Sequence, residues 1–318
     1  MRMTRRDLLM SGAAACMAGL PADAAPARIE GPAFGSSWHA VLPATADTAA
    51  ATRAVMAEIE AVDAAMSPYR GGSDLSRFNR LRDRDWIPVP AALAGVLNSA
   101  LAIRARTGGA FDPTVGPIVH HFGFGPIEGG RGDADGLAVR TGAIRKADPA
   151  TTLDLCGIAK GYALDRMAAA LAALGHRDAM IELGGEVVAL GRHPEGRAWL
   201  VAIERPGSAP VTAQRILRPG GLALATSGHG ANGFARPRLS HIIDPRTARP
   251  VAPGLASVSV LAADARTADA LATALLVLGA EVGPDRADAQ GIAALFLAED
   301  GDEIREIMTG RFADHVEA

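Results

Sequence analysis

The stretch "RTADALATALLVLG", residues 266–279, has alanine and leucine at helical spacing and therefore predicts a buried helix. Two polar side chains interrupt it, Asp269 and Thr273. They are four residues apart, so they lie one turn above each other on one face of the helix, close enough to share a ligand. The alternative interpretation is a solvated carboxylate and a neutral helix threonine that share no ligand.

Strand-like apolar runs lie on both sides of this helix and earlier in the chain, separated by glycine, proline or charged residues. They are SWHAVLP (37–43), TTLDL (151–155), DAMIELGGEVVALG (178–191), AWLVAIE (198–204), GLALATS (221–227), LSHIID (239–244), ASVSVLAA (256–263) and IAALFLAE (292–299). Helical patterns occur between them at 47–66, at 90–107 and from about Ala159 to Gly175. Because strands and helices do not alternate strictly, the sequence predicts an α+β fold with mixed or antiparallel sheets and flanking helices.

Composition limits the classes of function. The chain has 318 residues, of which 49% are hydrophobic and 21% charged, which is enough for a large core in one large or two smaller domains. Its formal net charge is -3, and no run of lysine or arginine suggests an arm that follows phosphates. Nucleic acid is therefore excluded as an expected partner.

The first 25 residues have the features of an export signal. Arg5 and Arg6 precede a short apolar stretch, and the small residues at 22–25 are typical of a cleavage site. We expect a twin-arginine signal over residues 1–25 and a mature protein in the periplasm. The alternative is lipid attachment at Cys16, although alanine stands where leucine usually precedes such a cysteine. Cleavage near residue 25 would leave Cys156 as the remaining cysteine, so no intramolecular disulfide could form.

Two loop segments combine aromatic and polar residues. In "MSPYRGGSDLSRFNR", residues 66–80, Ser73 and Asp74 can cap a following helix, or the loop can present Tyr69 to a planar ligand. In "TGGAFDPTVGP", residues 107–117, the glycines indicate that the backbone leaves a helix and closely approaches another group. Phe111 could fill the core there, and Asp112 beside a proline fits a turn.

Two further segments place polar groups at the ends of apolar runs. In "TLDLCGIAKG", residues 152–161, a strand, a glycine and a helix start can hold an anion between Asp154 and Lys160. Cys156 is expected to be a small buried residue rather than a nucleophile, because no histidine is near it in sequence. Among eight histidines, His241 in "SHIIDPRT" (240–247) is the best candidate for chemistry, with a structural role as the alternative.

Six of these segments, in order along the chain, resemble the ApbE family of flavin transferases: MSPYRGGSDLSRFN, TGGAFDPTVGP, LDLCGIAKGYALD, IELGGEV, SHIIDPRT and ADALATALLVLG. The resemblance runs from about Phe34 to the end and implies a single T-fold-like catalytic domain over residues 30–318. It implies Mg²⁺-dependent transfer of FMN from FAD to a threonine hydroxyl of an acceptor protein, with release of AMP. Alternatives that need the same pocket are an FAD pyrophosphatase and a non-enzymatic flavin carrier.

The resemblance also assigns residues and a partner. It implies Mg²⁺ ligation by the Asp269 carboxylate, the Thr273 hydroxyl and the Gly157 main-chain carbonyl, and makes His241 the base that deprotonates the acceptor threonine. It implies flavin contacts at Tyr69, Ala110, Phe111, Asp112, Asp154, Lys160 and Ile243. The implied acceptor carries an FMN-binding domain and belongs to a membrane-attached respiratory or nitrous oxide reduction system.

Three positions depart from the family pattern. Phe34-Gly35-Ser36 stands in place of Met-Gly-Thr, and Cys156 in place of a smaller residue. Ala272 stands where some members have a second aspartate, so we expect the metal to be held more weakly.

Overall fold

The computed structural model describes residues 25–229, 240–301 and 303–317. In chain order its strands are β1 (Ala27–Ala33), β2 (Ser36–Leu42), β3 (Ile87–Pro88), β4 (Leu137–Arg140), β5 (Ala143–Lys146), β6 (Ala179–Leu183), β7 (Glu186–Leu190), β8 (Val201–Glu204), β9 (Ala213–Leu217), β10 (Ala223–Gly228), β11 (Ile243–Asp244), β12 (Arg249–Pro250), β13 (Leu255–Ala262), β14 (Ala293–Asp300) and β15 (Glu303–Thr309). Eight of them form one sheet in the order β1-β2-β6-β7-β10-β13-β14-β15, and every neighbouring pair is antiparallel. Smaller sheets are β3-β5-β4, β8-β9 and β11-β12.

The helices are α1 (Thr48–Met66), α2 (Asp74–Arg80), α3 (Ala91–Arg106), α4 (Gly116–His121), α5 (Cys156–Ala173) and α6 (Ala265–Ala289), followed by a 3-10 turn at Phe312–His315. Two helical segments make up α6, because Gly279 between them has φ 77° and ψ 179°. The first segment is the helix that the sequence predicts at 266–279.

The large sheet is covered on both faces, as the alternation of side chains along β14 illustrates. Phe296 belongs to the main core, formed with α1, α5 and α6. Leu295 and Leu297 belong to a second apolar cluster with Trp199 and Phe312, from the β8–β9 region and the C-terminal turn. Because successive strand residues point to opposite faces, one strand contributes to both clusters. The α+β expectation with antiparallel sheets and flanking helices is confirmed.

The longest helix, α6, lies inside this core. It packs against α5, β10 and β13. Within the described part of the chain it is the one helix long and apolar enough to cross a membrane by length and composition, yet 67% of its most apolar window is buried in the fold. It therefore acts as the core helix of this domain.

Close contact between α5 and the start of α6 fixes the position of Asp269. A Cβ on Gly161 would lie 2.3 Å from the Ala265 carbonyl oxygen, so only glycine permits this separation. The Asp165 carboxylate accepts hydrogen bonds from the backbone N–H groups of Ala265 (2.7 Å) and Arg266 (3.1 Å). Helix α5 therefore satisfies donors at the amino terminus of α6 that have no partner within the helix itself.

The segment before α5 corrects two predictions. TTLDL is not a strand: Thr151 forms only an isolated bridge with Arg131. Its backbone is instead held by loops, since the Asp154 N–H donates to the Pro113 carbonyl (2.7 Å) and the Leu153 N–H to the Asn79 side chain (2.7 Å).

The helix that follows begins earlier than predicted, at Cys156 rather than near Ala159. The Cys156 N–H donates to the Asp154 carboxylate (3.0 Å), which satisfies an amide of the first turn. Its side chain is exposed, so the prediction that Cys156 is a buried core residue is wrong.

Candidate functional site

Residues of α5, α6 and β10 meet at one point of the fold. A Cβ on Gly157 would lie 3.7 Å from Thr273 Oγ1 and 3.1 Å from the Phe111 ring, so the first turn of α5 packs directly against both side chains. Thr273 Oγ1 shares a hydrogen bond with Ser227 Oγ (3.1 Å), near the end of β10. Two of the three residues implied as metal ligands, Gly157 and Thr273, are therefore adjacent. No role for Ser227 could be predicted from the sequence, because this contact joins residues that are 46 positions apart.

The third implied ligand, Asp269, is buried one turn before Thr273, with 4% of its surface exposed. Its Oδ2 accepts a hydrogen bond from the Gly161 N–H (3.0 Å). Burial raises the pKa of Asp269, and the charge of Lys160 and the Gly161 hydrogen bond offset only part of that rise. A cation beside this carboxylate would favour its ionised form.

The donors at this point fit a hard cation. A carboxylate, a hydroxyl and a main-chain carbonyl are all oxygen ligands, which is the set that Mg²⁺ prefers, with water and phosphate oxygens in the remaining positions. In the three described ranges no group of three or more His, Cys, Asp or Glu side chains is arranged to hold a metal ion. Ala272 is fully buried and adds no ligand, so Asp269 is the one carboxylate of the set.

An ion pair between a partly exposed lysine and a buried glutamate lies beside Asp269. The Lys160 ammonium contacts Glu186 Oε1, and the Lys160 stem passes Gly184, where a Cβ would lie 3.5 Å from its Cδ. Burial alone would lower the pKa of Lys160, but the negative charges of Glu186 and Asp269 raise it overall, so this side chain is charged at neutral pH. Glu186 is 2% exposed; burial raises its pKa, and the charge of Lys160 opposes that rise and favours the ionised carboxylate.

Glu186 follows the Gly184-Gly185 turn at the start of β7. Its second oxygen, Oε2, is buried and has no hydrogen-bond partner among the described residues. The sequence shows that an acidic residue begins an apolar strand. It does not show that this residue contacts a lysine 26 positions earlier in the chain.

Tyr69 lies near the first turn of α5 with 68% of its surface exposed. Its pKa is raised by partial burial and by the nearby Cys156 and Asp154. The capping hypothesis is confirmed for Ser73, whose hydroxyl accepts from the Ser76 N–H (3.0 Å) at the start of α2. The loop thus caps a helix and also leaves an aromatic ring accessible.

The loop after α3 packs behind the first turn of α5. Ala110 and Phe111 are buried. The Asp112 carboxylate accepts from Arg104 Nε (2.8 Å) and from the N–H (2.7 Å) and hydroxyl (2.6 Å) of Thr114. The turn interpretation of Asp112 is therefore confirmed.

His241 has two aromatic neighbours: Phe124 at 6.3 Å and His229 at 6.4 Å between ring centroids, with interplanar angles of 68° and 84°. Burial lowers its pKa, and the positive charges of His229 and Lys160 lower it further. The neutral imidazole is therefore the form present at pH 7, as a proton acceptor requires.

The residues after His241 hold its loop. Asp244 is paired with Arg246 through two contacts of 2.9 Å and is not the partner of the histidine. Ile243 is buried and pairs with Pro250 in the small β11–β12 sheet.

Comparisons with known proteins show the family and the fold. The ApbE family model matches residues 34–296. A curated relative from Vibrio cholerae, named FAD:protein FMN transferase, is 34% identical over 93% of this chain and 94% of its own length. A solved structure of Flavin Transferase ApbE from Vibrio cholerae has a TM-score of 0.83 at 33% identity, covering 92% of this chain and 99% of the other. The apo form of Pseudomonas stutzeri flavinyl transferase ApbE gives 0.83 at 32% identity, covering 92% and 96%.

Proposed function

The chain belongs to the ApbE family, and on that basis we propose that it transfers FMN from FAD to an acceptor protein. The relatives reported above support the proposal by their names and by matching nearly the whole chain. The observation that carries it is the meeting of Gly157 and Thr273 beside the buried Asp269, with the charged Lys160 next to them.

In the proposed reaction a threonine hydroxyl of the acceptor attacks the phosphorus of the FMN half of FAD. A new P–O bond forms to the threonine, and the P–O bond to the AMP half breaks, so that AMP leaves with the bridging oxygen. The hydroxyl proton passes to the neutral ring of His241, whose lowered pKa keeps it ready to accept.

Magnesium, when bound, would neutralise charge on the pyrophosphate oxygens as the leaving group departs. Asp269, Thr273 and the Gly157 carbonyl would hold it. Lys160 adds a positive charge beside them, which attracts the pyrophosphate. Tyr69 presents an exposed ring for stacking on the isoalloxazine, and Phe111 supports the turn at Gly157 from behind.

We further propose that residues 30–318 form the catalytic unit and that residues 1–25, most of which lie outside the described residues, direct its export to the periplasm. The acceptor would then be a flavoprotein domain exposed there, such as one of a membrane-attached respiratory or nitrous oxide reduction system. Lipid attachment at Cys16 is the less favoured alternative.

The test is a flavinylation assay with purified protein, FAD, Mg²⁺ and a candidate acceptor domain, followed by the mass of the acceptor and chromatography of the nucleotides. We expect an acceptor heavier by one FMN phosphoester and one AMP released per acceptor, and no change in an acceptor whose threonine is replaced by alanine. FMN and AMP without acceptor modification would indicate a pyrophosphatase, and intact bound FAD would indicate a carrier.

A separate experiment tests the proposed Mg²⁺ ligation by Asp269. Asp269→Ala removes the one charged ligand of the proposed set, so activity should fall steeply and recover in part at high Mg²⁺ concentration. Asp264→Ala is the control, because Asp264 caps the same helix through the Thr267 N–H (2.8 Å). It should reduce stability by about 1 kcal/mol without changing the Mg²⁺ dependence. Equal Mg²⁺ dependence in Asp269→Ala and the wild type would refute the assignment.

A further inference from the structure

Lys160 lies between two buried carboxylates, Glu186 and Asp269. Its ammonium contacts Glu186, whereas Asp269 influences it only through longer-range attraction. Asp269 Oδ2 is occupied by the Gly161 N–H, from the residue next to Lys160. The ammonium therefore pairs with Glu186 and makes no direct ion pair with Asp269.

Opposite charges attract strongly when they are removed from water, so a lysine without its partner would turn toward the nearest remaining carboxylate. Of the carboxylates that then remain, Asp269 attracts the Lys160 ammonium more strongly than Glu182 does, and Asp269 is the residue assigned to the metal. An ammonium paired with Asp269 would compete directly with a divalent cation for the same oxygen atoms. The position of the Lys160 ammonium therefore affects metal binding, even though Lys160 is not a metal ligand.

We propose that Glu186 is a positioning residue that holds the Lys160 ammonium away from Asp269 and so keeps this carboxylate available for Mg²⁺. The inference rests on the proposed function, because it takes the metal site from it. It adds a residue to which neither the sequence comparison nor the family resemblance gives a role.

The burial of Glu186 supports this assignment. Its Oε2 is buried without a hydrogen-bond partner among the described residues, which leaves one carboxylate oxygen uncompensated. A buried carboxylate with such a defect costs free energy even when it is paired, so this ion pair is weak evidence for a stabilising role. The defect is explained if the pair serves to place the lysine.

The experiment measures metal affinity directly, with Mn²⁺ as the probe and electron paramagnetic resonance to count the free ion, in the absence of FAD and acceptor. Glu186→Gln should weaken Mn²⁺ binding by about 10- to 100-fold, the range found when groups that orient metal ligands are replaced.

Glu182→Gln is the matched control. Glu182 is also acidic and lies on the β6 side of the same turn, where it pairs with His39 (2.9 Å) and accepts from the Gly185 N–H (2.6 Å). The Mn²⁺ affinity of Glu182→Gln should stay within about twofold of the wild type. Glu182 makes no direct ion pair with Lys160, so its charge contributes little to the position of that ammonium.

A double variant separates positioning from simple loss of negative charge. In Glu186→Gln/Lys160→Met the freed ammonium is absent, so Mn²⁺ affinity should return to that of Lys160→Met alone. If loss of charge were the cause, the double variant would bind Mn²⁺ more weakly than Lys160→Met. Should Glu186→Gln fail to fold, by circular dichroism, Glu186→Asp tests the same point: it keeps the charge on a shorter side chain and should bind Mn²⁺ with intermediate affinity.

Wild-type Mn²⁺ affinity in folded Glu186→Gln, or a double variant as impaired as Glu186→Gln, would overturn the inference and leave the transferase proposal intact. A wild type that flavinylates its acceptor but binds no Mn²⁺ would overturn the metal assignment and this inference together. A wild type that binds Mn²⁺ with the expected variant pattern but transfers no FMN would contradict the proposed function alone.

Discussion

Replacement of His241 distinguishes a proton acceptor from a structural residue. His241→Ala should reduce FMN transfer by about 10² to 10⁴, the usual contribution of a positioned base, while FAD binding changes little because other residues are assigned to the flavin. Transfer is measured by acceptor mass and binding by flavin fluorescence quenching in the same preparation. His193→Ala is the control, since His193 is also buried against an aromatic ring, Trp199 in the second apolar cluster, 4.8 Å away. Normal transfer by His241→Ala would mean that the proton goes elsewhere.

The surroundings of His241 also set the pH at which transfer fails. Burial, His229 and Lys160 all lower its pKa, so the folded protein keeps the ring neutral below the ordinary value of 6.5. As pH falls through this lowered pKa, the ring gains a proton and can no longer accept one. The acid limb of kcat/KM at saturating Mg²⁺ should therefore have its midpoint below 6.5, and His229→Gln should move the midpoint upward. A midpoint above 7 in the wild type would contradict the assignment.

At the scale of elements, the contact between α5 and α6 depends on Gly161. An added methyl would meet the Ala265 carbonyl at 2.3 Å, so Gly161→Ala should push the helices apart and lower the free energy of unfolding by about 1–3 kcal/mol. The shift should also disturb the Gly161 N–H bond to Asp269 and raise the Mg²⁺ requirement. Gly95 in α3 is the matched position, because a Cβ there has no atom within 4 Å.

Gly95→Ala should stabilise the protein by up to about 1 kcal/mol, the difference in helix propensity between the two residues. Chemical denaturation of both variants measures the contrast. If Gly161→Ala proved as stable as Gly95→Ala, the close contact would not constrain the two helices.

Elements with strong periodicity could be predicted from the sequence, and edge elements could not. The run at 47–66 is α1, and the run at 292–299 is β14 shifted by one residue. The strands β1 and β15 lie at the two edges of the sheet and carry charged residues, glycine or proline, so neither forms an apolar run. The glycine- and aspartate-rich segment 125–142 forms no apolar run either, yet it contains β4, which pairs with β5 beside it. The residue pattern within one segment does not show which other segment will pair with it as a strand.

Some residues of the candidate site could likewise be predicted from the sequence, and others could not. Asp269 and Thr273 could be found because helical spacing places them on one face, and His241 because polar groups at a strand edge are unusual. Glu186 and Ser227 could not, since each acts through a residue of another element. The resemblance assigns Asp112 to the flavin, and the sequence does not show that its carboxylate accepts hydrogen bonds from Arg104 and Thr114. Side-chain partners of this kind depend on tertiary packing.

At the scale of the whole molecule, stability has to come from packing. Cys156 is the one cysteine of the chain other than Cys16. Apolar clusters on both faces of the eight-stranded sheet instead bury large side chains, Phe296 on the helical face and Phe312 on the other. A domain held together in this way needs no oxidising compartment to complete its fold, which suits a route that exports folded proteins.

The last prediction concerns that route. Replacing Arg5 and Arg6 with lysine keeps the charge of the amino terminus but removes the paired arginines, so the uncleaved precursor should remain in the cytoplasm. Arg2→Lys is the control: it makes the same exchange outside the pair and should leave export unchanged. Cell fractionation and the intact mass of the mature chain measure the outcome, and Cys16→Ser in the same experiment tests for lipid attachment. The described core cluster is formed by residues from Ile29 onward, so the double lysine variant should still fold, and the precursor purified from the cytoplasm should flavinylate the acceptor domain. Normal amounts of mature protein in the periplasm of the double lysine variant would refute the twin-arginine interpretation.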